Sequence, residues 1–375
     1  MAKETVLNRG GSSAIDCILP FAWNCAIGVS TQYFEISMTK EDQPRVTPER
    51  LMQFGLAYAP PLIIGAAVSN RVFDTLAGGP KSIDEVSRET GASTRGLRAI
   101  MNALVGLELL TKRNGKYALT PESENFLVRN KPGTLAGFFS MNRLRLIQLW
   151  MKLDEIVRTG QPAEARNLEG PGTEFFTELV ENIIPTSYGS AQVLADHLKV
   201  ADATKPVRVL DLAAGSGIWG IALAQKSPRV EVTAVDWAGM IPTTKRITQK
   251  FGVRDRFKYI EGDLLDADFG SGYDIATLGH ILHSEGEERS RKLLKKTAPA
   301  LKSGATIAIG EWLVNDERTE PLNGLMFAVN MLVNTERGDT FSFNEIKSWL
   351  EEAGFKDART LEAPGPSPLV LATKS

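Results

Sequence analysis

Cysteine is nearly missing from this chain. Two occur in 375 residues, Cys17 and Cys25, both near the N-terminus. No disulfide framework can hold the rest together, so a reducing setting is implied and the cytoplasm is the expected location. Histidine is almost as scarce, at three: His197, His280 and His283. No Cys/His cluster has ligand spacing, so no metal is expected. Net charge is only −2, which supplies no basic field for nucleic acid or an anionic membrane surface, and neither is expected as a partner. No uninterrupted apolar run nears the ~20 residues that a bilayer span needs. Residues 18–29 are apolar, but Pro20 and Asn24 interrupt them and no small-x-small cleavage site follows, which argues against a signal peptide. Met38 opens a polar stretch that would make an ordinary start, so the residues before it read as a dispensable or family-specific arm.

What is plentiful is apolar material, 43% of residues, enough for more than one core. The most informative stretch lies past the middle. Val207 to Leu212 is a β-branched apolar run that predicts a buried parallel strand. It passes through Ala213, Ala214, Gly215 and Gly217 into helical spacing over 218–225. Those small residues leave the main chain nearly bare, so a bulky ligand can press against the turn. A second strand, 230–235, ends in Asp236, whose carboxylate can accept both hydroxyls of a ribose. The pair describes a nucleoside-binding α/β domain.

Gly215, Gly217 and Gly220 also satisfy G-x-G-x-x-G, with Asp236 nineteen positions beyond Gly217, as a dinucleotide site requires. Three features favour S-adenosylmethionine over NAD. Asp211 stands in the first strand, where it could hold an ammonium group. The domain, starting near residue 205, leaves little room for a full dinucleotide fold plus a catalytic domain. The third is the C-terminal end. Strands are expected at 207–212, 230–235, 257–260, 275–278 and 306–311 with helices between, a doubly wound parallel sheet. After a helix over 342–353, two further strands, 358–361 and 369–373, imply a closing hairpin with one antiparallel strand.

The N-terminal half reads as mostly helical. Pro60 and Pro61 separate two segments within 48–77. Ser82 and Glu85 form a capping box for a short helix ending at Gly91, and Ser93 opens a second helix. Asn114-Gly115 then signals a hairpin. Two helices and a hairpin predict a winged helix. The apolar residues along its second helix leave little basic surface, which favours packing or dimerisation over DNA binding. Residues 133–157 predict one long helix, too apolar for a surface position, and 175–198 another, kinked near Pro185.

This order of motifs resembles the S-adenosylmethionine-dependent O-methyltransferases that join an N-terminal winged-helix dimerisation domain to a class I methyltransferase domain. The likeness covers roughly residues 46–375, and bacterial members acting on small aromatic molecules look closest. It is carried by residues 209–217 and 234–237, by Glu261-Gly262-Asp263, by 279–283, by 301–304 and by Glu311. The resemblance implies an α/β fold with a C-terminal antiparallel hairpin, an extension over 1–45, a dimerisation and lid domain over 46–200, and a cofactor domain over 201–375. It implies a homodimer, S-adenosylmethionine as donor with S-adenosylhomocysteine as product, and a small-molecule acceptor bearing a phenolic or enolic hydroxyl. Asp211, Gly215 and Gly217 would border the cofactor's methionine end, Asp236 would bind its ribose and Asp263 its adenine amino group. Trp237 and Leu264 would sandwich the base. Ser187 would touch the carboxylate, and His280 would line the cofactor site. His283 would be the general base, held by Glu311 and Asp339. Phe138, Met141 and Asn142 on one helix, and Met326, Asn330 and Met331 on another, would wall the acceptor pocket.

The base assignment has a chemical motive. A sulfonium methyl is taken by an oxygen that carries negative charge, and a phenol of pKa ~10 is mostly protonated at neutral pH. An imidazole of ordinary pKa ~6.5 can remove that proton. The chain departs from the family in having Ser284-Glu285-Gly286 where Asp-Trp usually follows the histidine, which leaves open C- or N-methylation, or a repurposed reaction in a member that still binds S-adenosylmethionine. A DNA-binding regulator and a dinucleotide oxidoreductase are the readings from other classes. Core packing alone would explain His280 and the apolar helix around Met326, and His197 reads as a surface residue.

Overall fold

The computed structural model describes residues 46–141 and 145–375. The arm over 1–45, with both cysteines, and Asn142 lie outside the described residues. The chain begins with α1 (Glu49–Phe54), α2 (Ala59–Ser69) and α3 (Val72–Leu76). Pro60 and Pro61 fall in the first turn of α2, where their missing N–H groups cost nothing. The stretch Glu49–Ser69 is long and apolar enough to cross a membrane by length and composition. It is nevertheless divided by the turn at 55–58 and carries Glu49, Arg50 and Gln53. Its α2 end buries Ala67 and Val68 in the N-terminal core.

β1 (Lys81–Ser82) leads to α4 (Ile83–Thr90), where Ser82 and Glu85 form the reciprocal cap. Ser93 caps α5 (Thr94–Gly106), which buries Leu97, Met101 and Leu104. β2 (Leu110–Arg113) and β3 (Lys116–Leu119) pair antiparallel around Asn114 and Gly115, both with positive φ, and β1 adds to β3. The elements α6 (Pro121–Phe126), α7 (Ala136–Met141), α8 (Ile147–Trp150) and α9 (Leu153–Thr159) follow. The single helix expected over 133–157 is therefore interrupted, at the latest by the turn through exposed Met151 and Lys152.

α10 (Glu169–Asn182) and α11 (Ile184–His197) replace the single kinked helix expected from 175 onward. The chain breaks at Ile183 because Pro185 has no N–H to continue the ladder and is instead accommodated in the first turn of α11. The remaining order is β4 (Val207–Leu212), α12 (Ile218–Lys226), β5 (Val230–Asp236), α13 (Ile241–Lys250), β6 (Phe257–Glu261), β7 (Tyr273–Gly279), α14 (Leu282–Thr297), β8 (Leu301–Gly310), β9 (Leu313–Val314), α15 (Leu322–Asn334), β10 (Phe341–Ser342), α16 (Phe343–Glu352), β11 (Phe355–Leu361) and β12 (Leu369–Lys374).

Seven of these strands form one sheet in the order β11-β12-β8-β7-β4-β5-β6. β12 runs antiparallel to both of its neighbours, as the expected closing hairpin requires, and β4 through β8 pair in parallel. Two apolar layers cover the two faces, one against α14 and α16 and the other against α11 and α12. The chain order reverses between β4 and β7, so ligands collect above the carboxyl ends there.

Candidate functional site

At the end of β4 the main chain turns through Ala213 (φ 51°), Gly215 (φ 54°) and Gly217 (φ 73°) before α12 begins. Left-handed backbone at the two glycines costs little, and the Gly217 N–H closes the turn on the Ala214 carbonyl at 2.6 Å. The tip of the neighbouring strand is joined to this turn. Asp236 accepts a hydrogen bond from the Gly215 N–H at 2.7 Å on one oxygen, and from the Trp237 N–H at 2.7 Å on the other. Burial pushes the Asp236 carboxyl up to about 6, with those two N–H donors opposing. Asp211 lies deeper. Its oxygens accept from the Thr277 hydroxyl at 2.7 Å and the Gly220 N–H at 3.2 Å, and burial pushes it up to about 7.

α10 roofs this crevice. A Cβ on Gly172 would sit 2.6 Å from the Trp237 ring, and one on Gly215 would sit 3.2 Å from Val180, so two small residues admit the close approach. Ser187 is buried on α11. Asp263 follows β6 and accepts from the Leu265 N–H and from Arg289. Leu264 is buried and belongs to the apolar cluster that also holds Leu212, Val235 and Leu278. Trp237 is the flat side chain that stands at the strand tip.

The second centre lies beside the first, at the ends of β7 and β8. Gly279 and Gly310 are opposed residues of those strands, and the Trp219 ring spans both. A Cβ would approach the ring to 1.9 Å at Gly279 and 2.9 Å at Gly310. His280 then takes a positive φ of 62°, donating its N–H to the Gly310 carbonyl at 2.7 Å. Its Nδ1 is buried without a partner, and burial pushes the imidazole down to about 4, so it is neutral.

His283 opens α14 one turn later. Its Nδ1 lies 2.6 Å from Oε2 of Glu311, and Oε1 of the same carboxylate accepts the Leu282 N–H at 2.7 Å and the His283 N–H at 3.3 Å. Glu311 is only 2% exposed. Burial is the largest influence and would raise its carboxyl, but the His283 ring, His280 and the His283 N–H together hold it below the ordinary value. With Nδ1 engaged, Nε2 is the free nitrogen of His283. Asp339 behaves differently from the expectation. Its N–H holds the His283 carbonyl at 2.9 Å, while its carboxylate accepts from the Thr340 N–H and faces Arg318 at 3.6 Å. An aspartate is one methylene short of glutamate, and here its backbone, not its side chain, supports the histidine. His197 forms the last residue of α11, remote from this centre in sequence and element.

α15 supplies one wall. Phe327 meets the His283 ring edge-on at 4.9 Å between centroids and stacks on Trp312 at 4.3 Å. Asn330 accepts from the Trp150 indole of α8 at 3.3 Å, which brings the N-terminal half to this wall. Met331 is buried, whereas Met326 is 53% exposed and contributes little to an enclosed pocket. Phe138 packs on Phe139, and Met141 is buried, both on α7 beside α2 and α10. The loop between α9 and α10 is fastened to the end of α15 as well. Ala163 and Arg166 donate their N–H groups to the carbonyls of Val333 and Asn334, at 3.0 and 2.8 Å. Trp312 was not anticipated as a site residue. A single aromatic two positions past the end of β8 has no local pattern to reveal it, although its adjacency to Glu311 was a usable hint.

The first centre thus joins Asp236, at the tip of β5, to the glycine turn that follows β4, with the Trp237 indole alongside and Asp211 buried beneath. Among the described residues no group of three His, Cys, Asp or Glu could hold a metal ion. A family model for the O-methyltransferase domain matches residues 187–356, and one for the O-methyltransferase dimerisation domain matches residues 52–129. The 3-hydroxy-5-methyl-1-naphthoate 3-O-methyltransferase of Streptomyces sahachiroi is 28% identical over 83% of this chain and 90% of its own length. The tetracenomycin polyketide synthesis 8-O-methyl transferase of Streptomyces glaucescens is 27% identical over 87% and 97%. Among solved structures, human N-acetylserotonin methyltransferase in complex with S-adenosylmethionine shares the fold with a TM-score of 0.74 at 24% identity, covering 90% of this chain and all of that one.

Proposed function

The chain belongs to the S-adenosylmethionine-dependent O-methyltransferases that carry a dimerisation domain, and from that premise we propose that His283 is the general base for methylation of a phenolic or enolic hydroxyl on a small flat acceptor. The observation that carries the proposal is the 2.6 Å contact between His283 Nδ1 and a carboxylate with almost no solvent exposure. That contact fixes the tautomer with the proton on Nδ1, so Nε2 presents a lone pair to the acceptor hydroxyl. As the proton moves to Nε2, the ring becomes an imidazolium, and the fixed charge of Glu311 stabilises it where water cannot.

The first centre supports a place for the cofactor. Asp236 keeps lone pairs for the ribose hydroxyls beyond those used by Gly215 and Trp237. Asp263 receives the adenine amino group, Trp237 lies along the base, and Gly215, Gly217 and Asp211 border the methionine end, with Ser187 and His280 nearby. Bound there, S-adenosylmethionine supplies an electrophilic sulfonium methyl group. The chain's own part is to hold the acceptor oxygen in line, exclude water and remove its proton. Proximity supplies much of the rate, and a positioned base adds roughly 10²–10⁴-fold.

The stacked plates of Phe327 and Trp312 beside His283 favour a flat aromatic acceptor, in keeping with the naphthoate named for the Streptomyces sahachiroi relative. Residues 46–200 serve dimerisation and the lid. Leu51, Met52, Phe54, Leu56 and Tyr58 are all exposed on and after α1, a surface that a second copy of the chain would cover. The test is His283→Ala. S-adenosylhomocysteine binding should stay within about twofold, while turnover of a hydroxynaphthoate or related phenol falls at least ~10²-fold. Undiminished turnover removes the base assignment.

A further inference from the structure

Glu285 is the residue that stands where the family usually carries tryptophan, and it has an environment a carboxylate rarely occupies. It is 7% exposed, in the irregular turn that opens α14, where the next residue, Gly286, has φ 73° and ψ 172°. Only glycine fits there: a Cβ would lie 2.4 Å from the Arg337 carbonyl oxygen. Buried acids of this kind are kept by a partner. The partner is Arg289, whose Nε donates to Oε2 of Glu285 at 2.5 Å. The same guanidinium then reaches across to β6. Its Nη2 donates to both oxygens of Asp263, at 3.0 and 2.8 Å.

We propose that Arg289 is a positioning residue for the purine ring: seated by Glu285, it locks Asp263 into the orientation that accepts the adenine amino group and so discriminates adenine from a 6-oxo purine. The proposal rests on the reading of Asp263 as the adenine acceptor. A carboxylate offers about four lone-pair sites. Arg289 occupies two of them and the Leu265 N–H, at 2.8 Å, a third, which leaves one direction for an incoming donor. An amino group satisfies that lone pair. A hypoxanthine carbonyl turns its own lone pairs toward it and is repelled. Without Arg289 the Asp263 side chain, 34% exposed, regains its rotamers, and water or a rotated carboxylate accommodates either base. The guanidinium must touch two acids at once through different nitrogens, a geometry an ammonium cannot copy.

Calorimetry on the full chain tests this with two probes, S-adenosylhomocysteine and S-inosylhomocysteine, so no methyl acceptor is needed. The wild type should prefer the adenosine compound by at least about tenfold. Arg289→Ala should weaken S-adenosylhomocysteine by about tenfold and shrink the preference below about threefold. Arg289→Lys should restore less than half of the lost preference, and Glu285→Gln should fall between. Apo melting temperatures are read in parallel. If Asp263→Asn leaves affinity and preference unchanged, the adenine role of Asp263 fails and the proposal with it. If Asp263→Asn abolishes the preference while Arg289→Ala and Arg289→Lys keep it, Arg289 is merely a tie between β6 and α14, and the proposal alone is overturned. Should Arg289→Ala not fold, Arg289→Lys and Glu285→Gln decide on the same readout.

Discussion

Replacing Glu311 by glutamine changes one charge and almost no volume, yet it should cripple the proposed base. The reason is a conflict among donors. Oε1 of Glu311 serves two backbone N–H groups, Leu282 and His283, while Oε2 faces the His283 ring at 2.6 Å and the Trp312 N–H at 3.3 Å. A glutamine has one acceptor oxygen. If it faces the two helix-opening N–H groups, its NH₂ points at Nδ1, which must then give up its proton and accept. The proton moves to Nε2, and the lone pair that would take the acceptor's proton is lost. The opposite flip sets NH₂ against two buried N–H groups and is the costlier arrangement. Charge adds to the tautomer effect. At about 4 Å between charge centres and an effective dielectric near 20, the attraction withdrawn from the imidazolium is about 4 kcal/mol. At ~1.36 kcal/mol per decade this corresponds to a fall in kcat of about 10³-fold. The assay is steady-state release of S-adenosylhomocysteine with a phenolic acceptor, alongside calorimetric binding of S-adenosylhomocysteine, which should hardly move. Asp339→Asn is the internal comparison. Its carboxylate lies toward Arg318, so a loss below about fivefold is expected. A Glu311→Gln enzyme within fivefold of wild type refutes the reasoning, as does a larger loss in Asp339→Asn.

Asp236, with its carboxyl raised to about 6, should make S-adenosylhomocysteine binding pH-dependent. The ionised form accepts ribose hydroxyls, so affinity is present above ~6 and falls up to about tenfold per unit below it, while Asp236→Asn should bind weakly and with a flat profile. The sign for folding is opposite. Asp211 and Asp236 bind more protons folded than unfolded, so the apo protein should lose stability as pH rises from about 4 to about 7, which denaturant titrations at several pH values would detect. Gly279→Ala should cost at least ~1–3 kcal/mol in the same titrations, because the new methyl group meets the Trp219 indole, and the double variant with Trp219→Phe should recover part of the loss. A neutral Gly279→Ala contradicts the packing described for that corner.

Legibility followed the reach of each signal. β4 and β5 could be read because strands buried on both faces are continuous apolar runs. The Ser82–Glu85 cap and the Asn114-Gly115 hairpin were visible because four or fewer residues contain the whole interaction. Helix continuity was harder. Apolar spacing continues across Ile183 and across Met151: Pro185 signals a kink at the first position, where the chain in fact starts a new helix, and no proline or glycine marks the second. Side-chain direction at strand ends was the least readable. Leu264 follows Asp263 by one position and is buried in the apolar cluster, whereas Asp263 is partly exposed. Asp339 was expected to hold His283 through its carboxylate, but it meets His283 through its backbone N–H, and the carboxylate faces Arg318 from a distant loop. Glu311 was named through the family resemblance alone, and its carboxylate lies 2.6 Å from the His283 ring.

The fastening of the 163–166 loop to the last carbonyls of α15 has a kinetic consequence. The same helix presses Phe327 on the edge of His283 and takes the Trp150 indole through Asn330. Any excursion of the N-terminal half wide enough to admit an aromatic ring therefore pulls on the wall that orients the imidazole. On the proposed mechanism, admission and proton removal become sequential events on one mechanical linkage, so Ala163→Pro, which removes the N–H held by Val333, or Trp150→Phe, which removes the indole donor, should register in turnover number and not only in apparent acceptor affinity.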